Sequence, residues 1–220
     1  MSDRISTADL KRMLAEAARC LRGQQQYLCE LDSVAGDGDH GVSMLRTSEQ
    51  LEAAALDASS QSPRALLKDG GWRVLGVDGG ASSALLGAFF TGMADAAGEG
   101  DLDCESLAAI FESGLNAVLK QTRARPGDKT MVDALAPAIV ALRSAAASGA
   151  PPADALERAA AAAHAGAEST KALVARYGRA KLQGEKTLGH TDAGAASMAL
   201  LFQGFSHAFA AQREMNHGGR

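Results

Sequence analysis

The chain has 220 residues, 46% of them hydrophobic and 22% charged, with a formal net charge of −4 and a pI near 5.7. These ordinary globular values exclude a disordered chain and are enough for one full-sized core, so we expect a single domain over residues 1–220. An acidic balance with only 4% aromatic residues excludes nucleic acid as a partner.

The sequence also predicts where the protein works. Its first residues lack the apolar core of a signal peptide, and a long uncharged stretch, residues 79–94, is too short and too polar to span a membrane. Cys20, Cys29 and Cys104 show no CxxC spacing and indicate reduced thiols. We therefore expect a cytoplasmic protein with no membrane contact.

Apolar residues recur at three- and four-residue spacing along most of the chain, which predicts helices. The predicted helices are residues 7–31, 44–56, 66–75, 81–97, 102–120, 129–147, 153–175 and 192–212. Pro137 is expected to kink the sixth, because it removes one backbone donor. No run of residues alternates as a strand would. The predicted fold class is all-α, and the pattern does not distinguish a barrel from a layered bundle.

An acidic, glycine-rich loop follows the first predicted helix and carries Asp32, Asp37 and Asp39 within eight residues. Two like charges about 4 Å apart repel by up to roughly 4 kcal/mol at an effective dielectric near 20, so a compact trio needs a cation. Oxygen ligands favour magnesium, manganese or calcium over zinc. An EF-hand is excluded, since the twelfth position from Asp37 is Ser48 instead of Glu. Taken alone, the segment also fits an ordinary surface turn.

Two further glycine-containing loops precede predicted helices. Residues 78–83 read Asp-Gly-Gly-Ala-Ser-Ser, which can either donate to phosphate oxygens or simply begin a helix. Residues 126–131 do not form a Walker A loop, because Asp128 interrupts the Gly-Lys pair, and no strand precedes the glycines as a Rossmann fold requires. Asp128 is expected to cap a helix and Lys129 to be solvated.

The last loop carries Arg179, whose planar guanidinium can clamp a phosphate, and Asp192, which can cap the final helix. His190, between them, is interpreted as a structural histidine. Each of these signals is modest by itself, and their meaning comes from the combination.

Together the motifs resemble the nucleotide-binding L domain of dihydroxyacetone kinases, over nearly the whole chain and in the family's order. The residues that carry the resemblance are 31–32, 36–41, 79–82, 127–135, 178–180 and 189–195. The resemblance implies an antiparallel eight-helix barrel whose loops at one end bind ADP or ATP.

The resemblance also implies roles for individual residues. Asp32, Asp37 and Asp39 would hold two magnesium ions. The residues expected to contact the nucleotide are His40, Gly41, Val42, Ser43, Ala81, Ser82, Thr122, Met131, Arg179, Asp192, Ala193 and Gly194. Ser43, Ser83 and Ala193 stand where the family usually has Asn, Gly and Pro, so the contacts at these positions are left open.

The leading interpretation is the L subunit of a split dihydroxyacetone kinase, which passes a phosphoryl group to dihydroxyacetone or a related short ketose on a separate K subunit. Catalysis would then rest on positioning and charge neutralisation, with no covalent nucleophile on this chain. The resemblance allows either a retained ADP, rephosphorylated by a phosphotransferase-system subunit, or freely exchanging ATP. The sequence does not decide between them, and the first is the working interpretation.

Two alternatives belong to other classes of protein. One is a regulatory nucleotide sensor that acts on a protein partner without turnover, and the other is a helical module stabilised by divalent cations with no nucleotide. The acceptor sugar and the presence of a homodimer are left open by the sequence.

Overall fold

The computed structural model describes residues 4–210 as α-helices joined by loops. In that range the helices are α1 (Thr7–Gly23), α2 (Gln25–Ser33), α3 (His40–Leu56), α4 (Pro63–Leu75), α5 (Gly80–Ala96), α6 (Cys104–Gln121), α7 (Val132–Ala147), α8 (Pro152–Ser169) and α9 (Ala193–His207). Two 3-10 segments, Thr170–Ala172 and Arg179–Thr187, connect α8 to α9. The only β pairing within these residues is an isolated bridge between Ile5 and Leu102. The all-α prediction is confirmed.

Eight of these helices close into a ring. α1 packs against α3, each helix from α3 to α8 packs against the next, and α9 returns to α1, while α2 lies outside the ring against α3 and α9. The segments that begin α3, α5, α7 and α9 all line one cavity, so neighbouring helices of the ring run in opposite directions. The fold is the expected antiparallel eight-helix barrel, with α2 added at one end.

The barrel interior is filled with side chains. Five phenylalanine rings contact one another at centroid distances of 5.5–5.9 Å, namely Phe89, Phe90, Phe111, Phe202 and Phe205. Small residues bring helices close together elsewhere, as at Gly204, where a Cβ would lie 2.3 Å from Cα of Ala17. None of the helices in residues 4–210 is long and apolar enough to cross a membrane.

The prediction of one continuous helix over residues 7–31 is wrong. α1 and α2 are separated at Gln24, whose φ of −117° and ψ of 19° are not helical. The preceding Gly23 is a weak helix former. The break also brings α2 onto the start of α3, since a Cβ at Gly41 would lie only 2.0 Å from the carbonyl oxygen of Gln25.

The start of α7 also differs from the prediction. The helix begins at Val132, because Lys129 has a φ of +62° and cannot be part of it. The helix contains Pro137 and continues beyond it to Ala147.

The connection between α8 and α9 is more structured than predicted. α8 ends at Ser169 and does not reach residue 175, and the helical segment Arg179–Thr187 was not predicted. α9 ends at His207, and the predicted end, Gln212, lies outside the described residues.

Candidate functional site

A cavity of about 630 Å³ opens at the end of the barrel where α3, α5, α7 and α9 begin. Every predicted site residue lines this cavity except Gly41, which is packed against α2 behind the wall. Helix starts carry unpaired backbone N–H groups and the positive end of the helix dipole. Four helix starts surround this cavity, which makes the cavity suitable for binding an anion.

The three predicted metal ligands lie together at this end of the barrel. Asp32, Asp37 and Asp39 each place one carboxylate oxygen within 4.8 Å of the other two. Oδ2 of Asp32 also accepts hydrogen bonds from the backbone N–H groups of Asp39, at 3.1 Å, and His40, at 3.3 Å. It therefore caps α3 from another helix. A close group of hard oxygen ligands fits magnesium.

Gly36 keeps this arrangement open. A Cβ at this position would lie 2.2 Å from Oδ1 and 2.8 Å from Cγ of Asp32. A side chain at residue 36 would therefore displace the first carboxylate of the trio.

Arg179 reaches the carboxylates from the segment between α8 and α9. Its guanidinium forms an ion pair with Asp37, and the two side chains are 67% and 49% exposed. A pair this exposed contributes little stability by itself. The guanidinium is free to exchange a carboxylate partner for a phosphate, which suits its planar fork equally well.

His40 lies at the first position of α3 between two serines. Ser197 donates its only proton to the carbonyl of Gly194 at 2.9 Å, so its oxygen accepts from Nε2 of His40 at 3.2 Å. Nδ1 of His40 then accepts from the hydroxyl of Ser82, 3.3 Å away. Burial lowers the pKa of His40, against the charge of Asp32 and a hydrogen bond to the backbone of Ala193. Burial thus favours the neutral form of the imidazole, which lies between the hydroxyls of Ser197 and Ser82 and helps to orient Ser82.

The prediction that Lys129 is solvated is wrong. Its side chain is buried, with 4% of the residue exposed, and Nζ donates to the carbonyl oxygens of Thr170, at 2.6 Å, and His190. Burial lowers the pKa of Lys129, while the charges of Asp192 and Asp133 raise it. No pattern in the sequence marks this lysine as buried, because lysine side chains are nearly always exposed.

Asp128 does not cap α7 as predicted. Its carboxylate accepts from the backbone N–H of Arg125 at 2.8 Å and pairs with the guanidinium of Arg176 at 3.3 Å. Asp133 instead holds the start of α7, since it accepts from the N–H groups of Gly127 and Thr130. The two carboxylates shape the loop that follows α6.

Asp192 caps α9, which confirms the predicted capping role. Its Oδ2 accepts from the N–H of Ala195 at 2.8 Å. Burial raises the pKa of Asp192 to about 6, against the lowering effects of that hydrogen bond and of Lys129. The ring of His190 is exposed, and its contribution to the loop is the carbonyl that Lys129 binds.

The cavity has an apolar side as well as a charged one. The predicted residues Val42, Thr122 and Met131 line it together with Leu85 and Ala124, which were not predicted. Leu85 follows Ala81 by four residues on α5, and this spacing is the signal that would have found it. Arg46 was missed in the same way, four residues after Val42; it lines the cavity and donates to the carbonyl of Asp78 at 3.1 Å. A flat apolar group fits this side.

The fold and the cavity define a helical-barrel module that can bind an anion with the help of a divalent cation. Comparison with known proteins identifies the family: the DAK2 domain matches residues 34–207, well over half of the chain. The chain belongs to the DAK2 domain family.

Several relatives match over nearly their whole length. The chain is 34% identical over 191 residues to the ADP-binding subunit DhaL of PEP-dependent dihydroxyacetone kinase 1 from Listeria innocua, covering 87% of this chain and 91% of that protein. It is 33% identical over 200 residues to the corresponding subunit from Escherichia coli, covering 90% and 95%.

A solved structure shows the same fold. The dihydroxyacetone kinase from C. freundii in complex with AMP-PNP and Mg2+ superimposes with a TM-score of 0.68 at 25% identity. The match covers 90% of this chain and 33% of that one, so the chain spans about a third of the length of the C. freundii enzyme.

Proposed function

We propose that this chain is the nucleotide-binding subunit of a split dihydroxyacetone kinase, with residues 1–220 forming one domain that works in the cytoplasm. The observation that carries the proposal is the meeting of Asp32, Asp37 and Asp39 at the mouth of a cavity ringed by four helix starts. Relatives that match over about nine-tenths of their length carry the name of that subunit, which supports the same role here.

The two sides of the cavity correspond to the two parts of an adenine nucleotide. The diphosphate would lie against the carboxylates, the start of α3 and Arg179, and the base against Met131 and its apolar neighbours. Three aspartates and ADP carry about −6 together, and two magnesium ions would reduce this to about −2. The positive ends of the helices and Arg179 can neutralise much of the rest.

The residues of this chain contribute position and charge. When bound, magnesium supplies charge neutralisation and orientation for the phosphoryl group. Asp32, Asp37 and Asp39 hold the cations, Arg179 donates to a phosphate oxygen, and Ser82, which His40 helps to orient, faces the phosphates from the start of α5. The chain needs no nucleophile, because the acceptor hydroxyl is that of the sugar.

The acceptor and the donor belong to other chains. Dihydroxyacetone or a related short ketose would be held by a K subunit, and a subunit of the phosphotransferase system would rephosphorylate a retained ADP. The names of the near-full-length relatives, which specify PEP dependence, favour this donor over exchanging ATP.

Reconstitution tests the proposal. The purified chain is mixed with a K-type subunit, dihydroxyacetone and either the phosphorylated donor subunit or Mg-ATP, and dihydroxyacetone phosphate is measured. We expect product with the donor subunit and little with ATP. Product in neither mixture contradicts the kinase assignment, and binding of the K subunit that follows ADP without turnover would favour the nucleotide sensor instead.

A pair of variants connects the activity to the carboxylates. Asp37→Asn removes one metal ligand and should reduce turnover at least about a hundredfold. Asp101→Asn makes the same change in an exposed loop outside the cavity and should leave turnover unchanged. Equal activity of the two variants would contradict a role for Asp37.

A further inference from the structure

Residues 171–189, here called the Arg179 loop, form a closed structure between α8 and α9. At its neck the N–H of Gly189 donates to the carbonyl of Lys171 at 2.8 Å, and the N–H of Asp192 donates to the hydroxyl of Thr170 at 2.9 Å. The middle of the loop, residues 177–180, lines the cavity. The loop therefore holds Arg179 over the site from a neck made by its own two ends.

Lys129 joins the two sides of that neck from a different part of the chain. Its ammonium donates to the carbonyl of Thr170 on one side and to that of His190 on the other. An ammonium has three donors, and two of them are committed here. The neighbouring Asp128 adds a third link, since its carbonyl accepts from the N–H of Arg176 at 3.1 Å.

The backbone of Lys129 shows that the position is held by its contacts. Lys129 has a φ of +62°, and no other non-glycine residue within residues 4–210 has a positive φ. A side chain with a Cβ is strained in that region and remains there only where surrounding interactions impose it. The interactions seen at its side chain are the two hydrogen bonds of the ammonium to the neck and the attraction of the nearby charges of Asp192 and Asp133.

We infer that Lys129 is a positioning residue that keeps the Arg179 loop closed, so that the guanidinium of Arg179 stays beside Asp37 at the phosphate end of the cavity. The effect of Lys129 on nucleotide binding rests on the proposed function. The effect of Lys129 on the loop rests only on the contacts described above. Lys129 also lines the cavity, but two of its three donors bind the neck, so the neck sets the position of its ammonium. Its effect on nucleotide affinity passes through Arg179.

The first test measures the loop without any ligand. Lys129→Gly removes the ammonium while glycine adopts the same backbone conformation freely. Tryptic cleavage after Arg179 in the nucleotide-free protein should become at least about tenfold faster, because cleavage requires local opening of the loop. Lys171→Met is the matched control: it removes an exposed lysine and its ion pair with Glu168 at the same neck, and the cleavage rate should not change.

The second test asks whether Lys129 acts through Arg179. Affinity for Mg-ADP is measured by calorimetry for Lys129→Gly, Arg179→Ala and the double variant. Each single substitution should weaken binding by about tenfold, and the double variant should bind no more weakly than Arg179→Ala.

The outcomes separate the inference from the proposed function. Unchanged cleavage in Lys129→Gly, or losses of affinity that multiply in the double variant, would overturn the positioning role. If the wild-type chain bound no Mg-ADP, the proposed function would fail while the cleavage experiment would still decide the role of Lys129. Far-ultraviolet circular dichroism checks that each variant is folded, and Lys129→Asn, which also tolerates positive φ, replaces the glycine variant if that one is not.

Discussion

Gly36 is the residue on which the geometry of the three carboxylates depends most directly. Gly36→Ala would place a Cβ 2.2 Å from Oδ1 of Asp32 and turn that carboxylate away from Asp37 and Asp39. We expect at least about a tenfold loss of Mg-ADP affinity with a change in unfolding free energy below about 1 kcal/mol. Calorimetry and urea denaturation measure the two effects separately.

Gly23→Ala is the control for that substitution. Gly23 is the last residue of α1, and a Cβ there would meet nothing within 4 Å. The Gly23→Ala variant should bind Mg-ADP with the affinity of the wild type. An equal loss in both variants, or none in Gly36→Ala, would show that the space beside Asp32 is unimportant.

The carboxyl of Asp192 makes stability depend on pH. Its pKa is raised to about 6 in the folded protein, above the value of about 4 expected in the unfolded chain. The folded state therefore keeps this proton longer, and the contribution of Asp192 to stability decreases as pH rises from about 4 to about 6. Asp192→Asn keeps a cap of similar quality and removes the titration.

The comparison of wild type with Asp192→Asn isolates this effect from the other carboxyl groups. Urea denaturation without nucleotide or metal, at pH values from 4.5 to 7, should show the variant gaining about 2 kcal/mol relative to the wild type as pH rises. A difference that stays constant over this range would show that the pKa of Asp192 is not raised.

At the scale of single residues, the sequence predicts the carboxylates of the site better than it predicts the contacts that hold the surrounding loops in place. Asp32, Asp37 and Asp39 are close in the chain as well as in space, so their grouping follows from a local pattern. Lys129 lies at least 41 residues along the chain from both Thr170 and His190. The groups that it binds are backbone carbonyls, which are the same in every residue. A single sequence contains no signal for such a contact.

Between helices, close packing at glycine is the feature most sensitive to substitution. Gly204→Ala would bring a Cβ to 2.3 Å from Cα and 2.4 Å from the nitrogen of Ala17, both in the backbone of α1. We expect a loss of about 2–4 kcal/mol of unfolding free energy, although alanine is the better helix former. Thermal or urea denaturation measures it.

The same substitution at Gly70 in α4 tests the explanation. A Cβ there would lie 3.7 Å from the Cβ of Ala54, an ordinary contact. Gly70→Ala should therefore leave stability unchanged or raise it by up to about 1 kcal/mol, as helix propensity predicts. Equal losses at both positions would mean that space is not the deciding factor.

At the scale of helices, apolar spacing identified every helix of the ring, but it did not show where one helix ends and a separate segment begins. The spacing continues across Gln24 because α2 is also helical and buries Leu28, so periodicity alone joins α1 to α2. The segment Arg179–Thr187 has few apolar residues and is exposed along most of its length, so no core-facing stripe marks it. Such a segment is held by its neck and by capping contacts, which periodicity does not report.

For the whole molecule, nucleotide binding should be visible as stability. A ligand that binds only the folded state at a hundred times its Kd adds about 2.7 kcal/mol, which corresponds to an increase in Tm of roughly 5–10 °C for a protein of this size. Calorimetric scanning with Mg-ADP should show this shift. ADP in the presence of EDTA should show almost none, and a shift of equal size there would contradict binding through metal.

The contact between α1 and α9 sets the order in which this barrel can assemble. These two helices are separated by nearly the whole described chain, yet each covers the apolar face of the other. A growing polypeptide on the ribosome therefore leaves exposed the part of α1 that α9 covers until α9 has been synthesised, even once α3 has packed against α1. Closing so long a loop costs entropy before the contact stabilises anything. Closure of the barrel therefore follows the synthesis of α9, and until then the apolar surface that α1 will share with α9 is available for unwanted contacts.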